Sequence, residues 1–245
     1  NGVSGQVIAI TSDGTNIYVG GDFQFADTNV LVNNIAMWSP GTWSSLLNGI
    51  DGTVYALTYL NNLYIGGNFT TVNGVLTVNN ITYFDGAYNA LIQNTTPGVN
   101  DIVYALENDG TNIFIGGAFT SVDNGATVTA NYLVTWTSSN EWDNSLSNGT
   151  NGITIGSDVI SLSYNSPNLY VAGNFSQINT DTVYSVSVVD TTNQTWDTSV
   201  HLFTALTSIN SIKYDNGLIL GGKFDTVNQT VNNCTSLIDV SNIAI

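Results

Sequence analysis

The segment GTNIYVGGDF (residues 14–23) places two glycines and a phenylalanine directly behind a strand-forming Ile-Tyr-Val run. Glycine weakens a strand interior, and where it stands in one it marks a bulge or a close backbone approach. The phrase recurs as LYIGGNF (63–69), IFIGGAF (113–119), LYVAGNF (169–175) and LILGGKF (218–224). Its phenylalanines stand at 23, 69, 119, 175 and 224, so the spacings are 46, 50, 56 and 49 residues. Self-similarity at such a period is the signature of a repeat architecture.

Each copy sits in a longer pattern. A strand-like run precedes it: VIAI, VYAL, VYAL, VISL and INSI, ending at Ile10, Leu57, Leu106, Leu162 and Ile212. A Thr/Asn-rich loop of variable length follows it, then a third run: NIAMW, NITYF, NYLVTW, VYSVSVVD and TSLIDV. Repeats one, three and four add a short segment with a tryptophan (Trp43, Trp142, Trp196), where repeat two has Tyr88. Asp13-Gly14, Asn61-Asn62, Asp109-Gly110 and Asn216-Gly217 supply tight turns between the first two strands. No segment keeps a helical period. Four short strands in about 45–50 residues is the spacing of a propeller blade. The sequence therefore predicts an all-β, β-propeller chain of about five four-stranded blades, at roughly 1–48, 49–97, 98–148, 149–201 and 202–245. A sandwich would not need five copies of one pattern, and a solenoid would use shorter coils. The start, NGVSGQVIAI, aligns with NGIDGTVYAL at 48–57. That alignment fits either a five-bladed ring or a window of a longer array, and five blades in one domain are favoured.

LYIGGNFTTVNG with NNITYFDG, followed by a W..L..G..G.VYAL pattern, resembles the kelch-like propeller repeats of large extracellular surface proteins, the repeat type of the galactose oxidase central domain. It is also similar to the propeller region of fungal cortical polarity markers. The resemblance runs through all five copies. It implies a propeller fold and a surface location, and it says little of function, because such repeats serve many purposes. The chain departs from the pattern in its scarcity of basic residues and in GTNGITIGSD (149–158), which lengthens the fourth repeat.

Charge narrows the function. Only 8% of the 245 residues are charged, against about 25% in ordinary soluble domains. Two are lysines (Lys213, Lys223), none is arginine, and the net charge is -16. Nucleic-acid binding needs cations to displace counterions and is not expected. An anionic membrane surface would repel the chain, and no run approaches the roughly 18 apolar residues of a membrane span. The surface is built instead from Asn, Thr, Ser and Gly, which suits an extracellular or cell-surface protein. Scarce Lys and Arg also predict resistance to trypsin-like proteases. One cysteine, Cys234, allows no internal disulfide. The opening residues lack the charged start of a signal peptide, so targeting information is expected elsewhere.

The chemistry that propellers elsewhere carry finds few residues here. A copper site of the galactose oxidase kind needs histidines, and the chain has one, His201. A sialidase-like site needs the bidentate fork of arginine, and there is none. A Ser-His-Asp triad would have to use His201, which lacks a nucleophile context. Carboxylate pairs for glycoside hydrolysis are possible by number, but the aspartates sit mostly in turns. No catalytic residue and no cofactor are assigned. For structural calcium, Asp13, Asp51, Asp101 and Asp109 are the candidate oxygen donors, against the plainer reading as turn residues. Sequons at Asn68, Asn80, Asn94, Asn148, Asn174, Asn193, Asn228 and Asn233 are candidate glycosylation sites, although the composition alone generates about as many. The five tryptophans read as packing between blades rather than sugar platforms. The leading expectation is a non-enzymatic structural or adhesive module of a surface layer, appendage or filament, and a candidate glycoprotein, that associates with itself or with surface proteins and glycans. A carbohydrate- or protein-binding module is the second reading, a glycoside hydrolase the third.

Overall fold

A computed structural model describes residues 2–93, 97–122, 128–148, 150–200 and 202–223. Every element among them is a strand. Four successive sheets are built alike, each antiparallel in chain order. The first holds Gln6–Ser12, Ile17–Asp22, Ile35–Ser39 and Thr42–Ser45; the second Thr53–Leu60, Asn62–Asn68, Ile81–Phe84 and Tyr88–Ala90. The third holds Val103–Asn108, Ile113–Gly117, Leu133–Trp136 and Trp142–Asp143; the fourth Ile153–Asn165, Asn168–Ile178, Val186–Asp190 and Thr195–Asp197. The residues added in repeat four extend its first strand, which shifts register four times against its partner. In the fifth repeat Ser208–Tyr214 pairs with Leu218–Lys223, and the rest of that repeat lies outside the described residues. The Thr/Asn-rich stretches of repeats one to three are not irregular: each folds into a two-stranded ribbon, Phe25–Ala26 with Val30–Leu31 in the first.

First strands of successive sheets touch one another, and each second strand packs on the first strand of the next sheet. The Gly-Gly phrase lies on the second strand of each sheet, one step out from the strands that touch between successive sheets. The core sits in the junctions. Tyr18, Ile35 and Leu46 of blade one, for example, join Val54, Leu57 and Ile65 of blade two in one buried cluster.

The two glycines answer to different neighbours. A β-bulge falls at the same place in all five repeats: Val7 pairs with Gly21 and Ala9 with Gly20, leaving Ile8 between them. Tyr55, Tyr104, Ile160 and Asn210 are its counterparts. At this bulge the second glycine meets its own sheet. A Cβ on Gly21, Gly67, Gly117, Gly173 or Gly222 would overlap a carbonyl oxygen of the first strand or, for Gly117, of Ile102 just before it. The first glycine meets the next blade instead: a Cβ on Gly20 would overlap Val54, one on Gly66 Val103, and one on Gly116 Val159. Blade four carries Ala172 there, fully buried against Ile209 and Ile212. A carbonyl cannot move without breaking the ladder, whereas a neighbouring side chain can; hence only the first position accepts a methyl.

The phenylalanines Phe23, Phe69, Phe119 and Phe175 are buried. Phe23 is 3% exposed and clusters with Val19, Ala26, Val32 and Ala36 of its own repeat. The ring of Phe69 lies 3.0 Å from where a Cβ on Gly67 would be. Phe69, Phe119 and Phe175 also belong to buried clusters that span two successive blades.

Candidate functional site

Between the first two strands, Asp13 accepts hydrogen bonds at Oδ1 from the amides of Thr15 (2.8 Å) and Asn16 (2.6 Å). Its Oδ2 accepts from Asn16 Nδ2 and the Tyr18 hydroxyl, both at 2.9 Å. Asp109 repeats this with Thr111 and Asn112. Asp190 does so with Thr192 and Asn193 in the turn between strands three and four of blade four. A short acidic side chain closing its own turn is ordinary Asx chemistry. The amide of Asn16 and the other donors hold the Asp13 carboxyl well below the usual carboxylate range. Burial, and the carboxylate it donates to, push the Tyr18 hydroxyl up to about 12.

Asp51 acts across a longer distance, accepting from the amides of Thr70 and Thr71 at 3.0 Å and from the Thr70 hydroxyl at 2.9 Å. Asn100 and Ser4 do the same work in blades three and one. Asp101 accepts from the amide of Ile102 at 2.8 Å. Asp13, Asp51, Asp101 and Asp109 are therefore spread over three repeats with N–H donors on their oxygens. Among the described residues no three His, Cys, Asp or Glu side chains gather to hold a metal. His201 and Cys234 lie outside the described residues.

One position escapes sequence reading. The residue before the third strand has left-handed backbone in four blades: Asn34 (φ 69°), Asn80 (φ 69°), Tyr132 (φ 68°) and Ser185 (φ 64°). Each reaches into the following repeat. Asn34 Nδ2 donates to the Ile50 carbonyl (3.0 Å), Asn80 Nδ2 to that of Val99 (3.1 Å), the Tyr132 hydroxyl to that of Gly156 (2.8 Å), and Ser185 Oγ to that of Thr207 (3.1 Å). Three residue types perform one role, so no motif announces it.

Asn34 and Asn80 each line a polar groove at their junction. The groove between blades one and two holds about 590 Å³ and is lined by Asp22, Gln24, Asn33, Asn34, Asn48 and Asp51 among others. Its counterpart between blades two and three, about 250 Å³, is lined by Thr70, Asn79, Asn80 and Asn100. A third recess of about 240 Å³ lies between blades four and five, with Tyr170, Trp196, Asp190, Asp197 and Tyr214 on its walls. The Tyr170 and Tyr214 rings there stack at 4.8 Å. On the first strands, the bulged Tyr55 and Tyr104 meet edge to face at 5.5 Å. Burial, and then Asp158, raise the Tyr104 pKa.

Trp136, Trp142 and Trp196 are buried, and Trp196 Nε1 donates to the Leu146 carbonyl of the preceding blade (3.0 Å). Tyr88 substitutes in kind, its hydroxyl donating to the Leu46 carbonyl (3.0 Å). Trp38 and Trp43 are half-buried on blade one. Of the sequon asparagines, Asn68, Asn148 and Asn193 are exposed, while Asn80 and Asn174 are half-buried and hydrogen-bonded. Asn94, Asn228 and Asn233 lie outside the described residues.

Successive four-stranded antiparallel sheets, packed through their inner strands, define a β-propeller domain. Residues 2–157, more than half of the chain, match the model of the Rax2 C-terminal beta propeller domain, and the chain belongs to that family. No curated protein sequence matches it. Among solved structures it is similar to the computationally designed Ika8 protein, with 16% identity and a TM-score of 0.53, covering 93% of this chain and 58% of that one. It is also similar to the extracellular domain of a hybrid two component system of B. thetaiotaomicron, with 15% identity and a TM-score of 0.54, covering 91% of this chain and 26% of that one. The chain thus spans well under two thirds of the length of both. At such identities the likeness is one of fold.

Proposed function

We propose that this chain is a non-enzymatic, extracellular β-propeller that serves as a structural or adhesive building block of a cell-surface layer, appendage or filament. The observation that carries this reading is its surface chemistry. Two lysines and no arginine leave almost no cationic side chain. Several of its turn aspartates have their oxygens committed to backbone amides. Surfaces poor in charge need little desolvation when subunits meet. The kelch-like character of the repeats and the Asn/Thr/Ser-rich surface support a location outside the cell, where exposed sequons would carry glycans. Partners on this reading are further copies, other surface proteins or glycans; nucleic acid and membrane insertion are not expected. Negative-stain microscopy of native material tests it: ordered polymers or layers are expected, and dispersed monomers that bind a defined sugar would reverse the choice.

The second reading, a carbohydrate-binding module, draws on the Asn- and Asp-lined grooves at the blade junctions. Amide and carboxylate side chains there are the groups that hydrogen-bond sugar hydroxyls. A glycan array separates the two readings, since a scaffold predicts no selective signal.

A further inference from the structure

The polar groove between blades one and two, about 590 Å³, falls in the size range of small-molecule sites. Asp22, Gln24, Asn33, Asn48 and Asp51 give it its chemistry. Asn33 Nδ2 donates to the Asn48 carbonyl (2.8 Å) and Asn48 Nδ2 to the Asn73 carbonyl (3.4 Å). Each amide so held still has its Oδ1 and one N–H to offer. Asp51 accepts from Thr70 and Thr71 and keeps lone pairs on a fixed carboxylate. Asp22 is exposed, and among the described residues no donor holds its carboxylate.

The groove at the next junction differs in what decides a ligand. It holds about 250 Å³, and Asn68, Pro97 and Asn100 stand in that repeat where Asp22, Asn48 and Asp51 stand in the first. Both carboxylates and one amide are thus particular to the groove between blades one and two. No cationic residue is among those that line it, so an anion meets only like charge there. Two carboxylates, one of them already bonded to Thr70 and Thr71, are too few for a hard cation. A neutral polyol fits, because each hydroxyl both donates and accepts, and carboxylates and amides answer it on both counts.

We propose that the groove between blades one and two binds a short neutral oligosaccharide, whose hydroxyls donate to Asp22 and Asp51 and bond the amides of Asn33 and Asn48. Asn33, Asn48 and Asp51 are held by their own hydrogen bonds before a ligand arrives, so binding costs little side-chain freedom. Leu47 and Val75, 47% and 81% exposed, stand next in sequence to Asn48 and Gly74 of the lining and offer apolar contact to the C–H groups of a sugar ring. Uronates and sialylated sugars are rejected by the two carboxylates. This inference deepens the carbohydrate-binding reading above and rests on it.

The test is calorimetric titration of the chain, made in a host that adds no glycans, with neutral gluco- and manno-oligosaccharides, with uronate oligomers and with oligolysine. Neutral sugars are expected to bind, with an affinity that added salt does not change. Asp22→Ala removes an exposed acceptor and Gln24→Trp fills the groove from an exposed position. Each should weaken binding about tenfold or more while keeping the thermal midpoint of the wild type. Asn68→Ala, at the position equivalent to Asp22 in the next repeat, should leave binding unchanged. Neutral-sugar binding that survives both groove variants would place the site elsewhere and leave the carbohydrate-binding reading standing. Binding of uronates alone would overturn the ligand class and keep that reading. Binding of oligolysine alone, or of nothing, would remove the inference and the reading together.

Discussion

The side chain of Asn34 links two blades: its Oδ1 accepts from the Phe23 amide of its own repeat (3.1 Å), and its Nδ2 donates to the Ile50 carbonyl of the next (3.0 Å). Asn80 does the same with Phe69 (3.3 Å) and Val99 (3.1 Å). Replacing Asn80 by Ala leaves both backbone groups without that partner and puts Cβ-bearing Ala where Asn tolerates left-handed backbone better. A loss of about 1–3 kcal/mol is expected from urea unfolding. An unchanged midpoint would show that the bridge contributes nothing.

The same bond bears on glycosylation. In a eukaryotic secretory host, glycopeptide mass spectrometry should find Asn68, Asn148 and Asn193 modified, because they are exposed. Asn80 should be empty in folded protein, since its Nδ2 is held against Val99 in the blade junction. Full occupancy at Asn80 would contradict that placement.

The glycine pair predicts unequal costs. Gly67→Ala drives a methyl into the Thr53 carbonyl and the Phe69 ring, whereas Gly66→Ala meets only the Val103 and Leu106 side chains of the next blade. Both should destabilise by about 1–3 kcal/mol, with Gly67→Ala the larger. Ala172→Gly should cost about 1 kcal/mol or less, through backbone freedom and a lost methyl. Equal effects at Gly66 and Gly67 would overturn the division of roles.

Asp13 ties one turn to pH. Its folded-state pKa is lowered by the Asn16 and Thr15 amides, so its contribution is present above the ordinary carboxylate pKa near 3.9 and is lost as pH falls through the folded value. Asp13→Asn should therefore lower stability at pH 6 by a small amount, given the exposure of the group, and the gap should narrow below pH 3. A gap independent of pH would mean that the charge plays no part.

With N–H donors already on the oxygens of Asp13, Asp51, Asp101 and Asp109, the thermal midpoint should not move when calcium is added or chelated. A calcium-dependent rise of several degrees would restore those residues as ligands.

Trypsin has two lysines to attack, Lys213 within a strand and Lys223 at the end of one. Native protein should outlast, in trypsin, a broad-specificity protease digest run in parallel. Equal rates would remove protease resistance as a consequence of the composition.

The sequence by itself determined the repeat, the strand count per blade and the turns, because these depend on local chemistry read in order. Gly14, Asn61, Gly110 and Asn216 take up positive φ at the turns that the dipeptides predicted. It also marked the double glycine as a place of close approach. Only the tertiary structure decided what approaches: a bulge carbonyl for the second glycine, a neighbouring blade for the first. The bridging role shared by Asn34, Asn80, Tyr132 and Ser185 was illegible for the same reason. A left-handed residue that reaches a carbonyl some 16–24 positions away is selected by reach and geometry, and an amide, a phenol and a hydroxyl all meet that requirement.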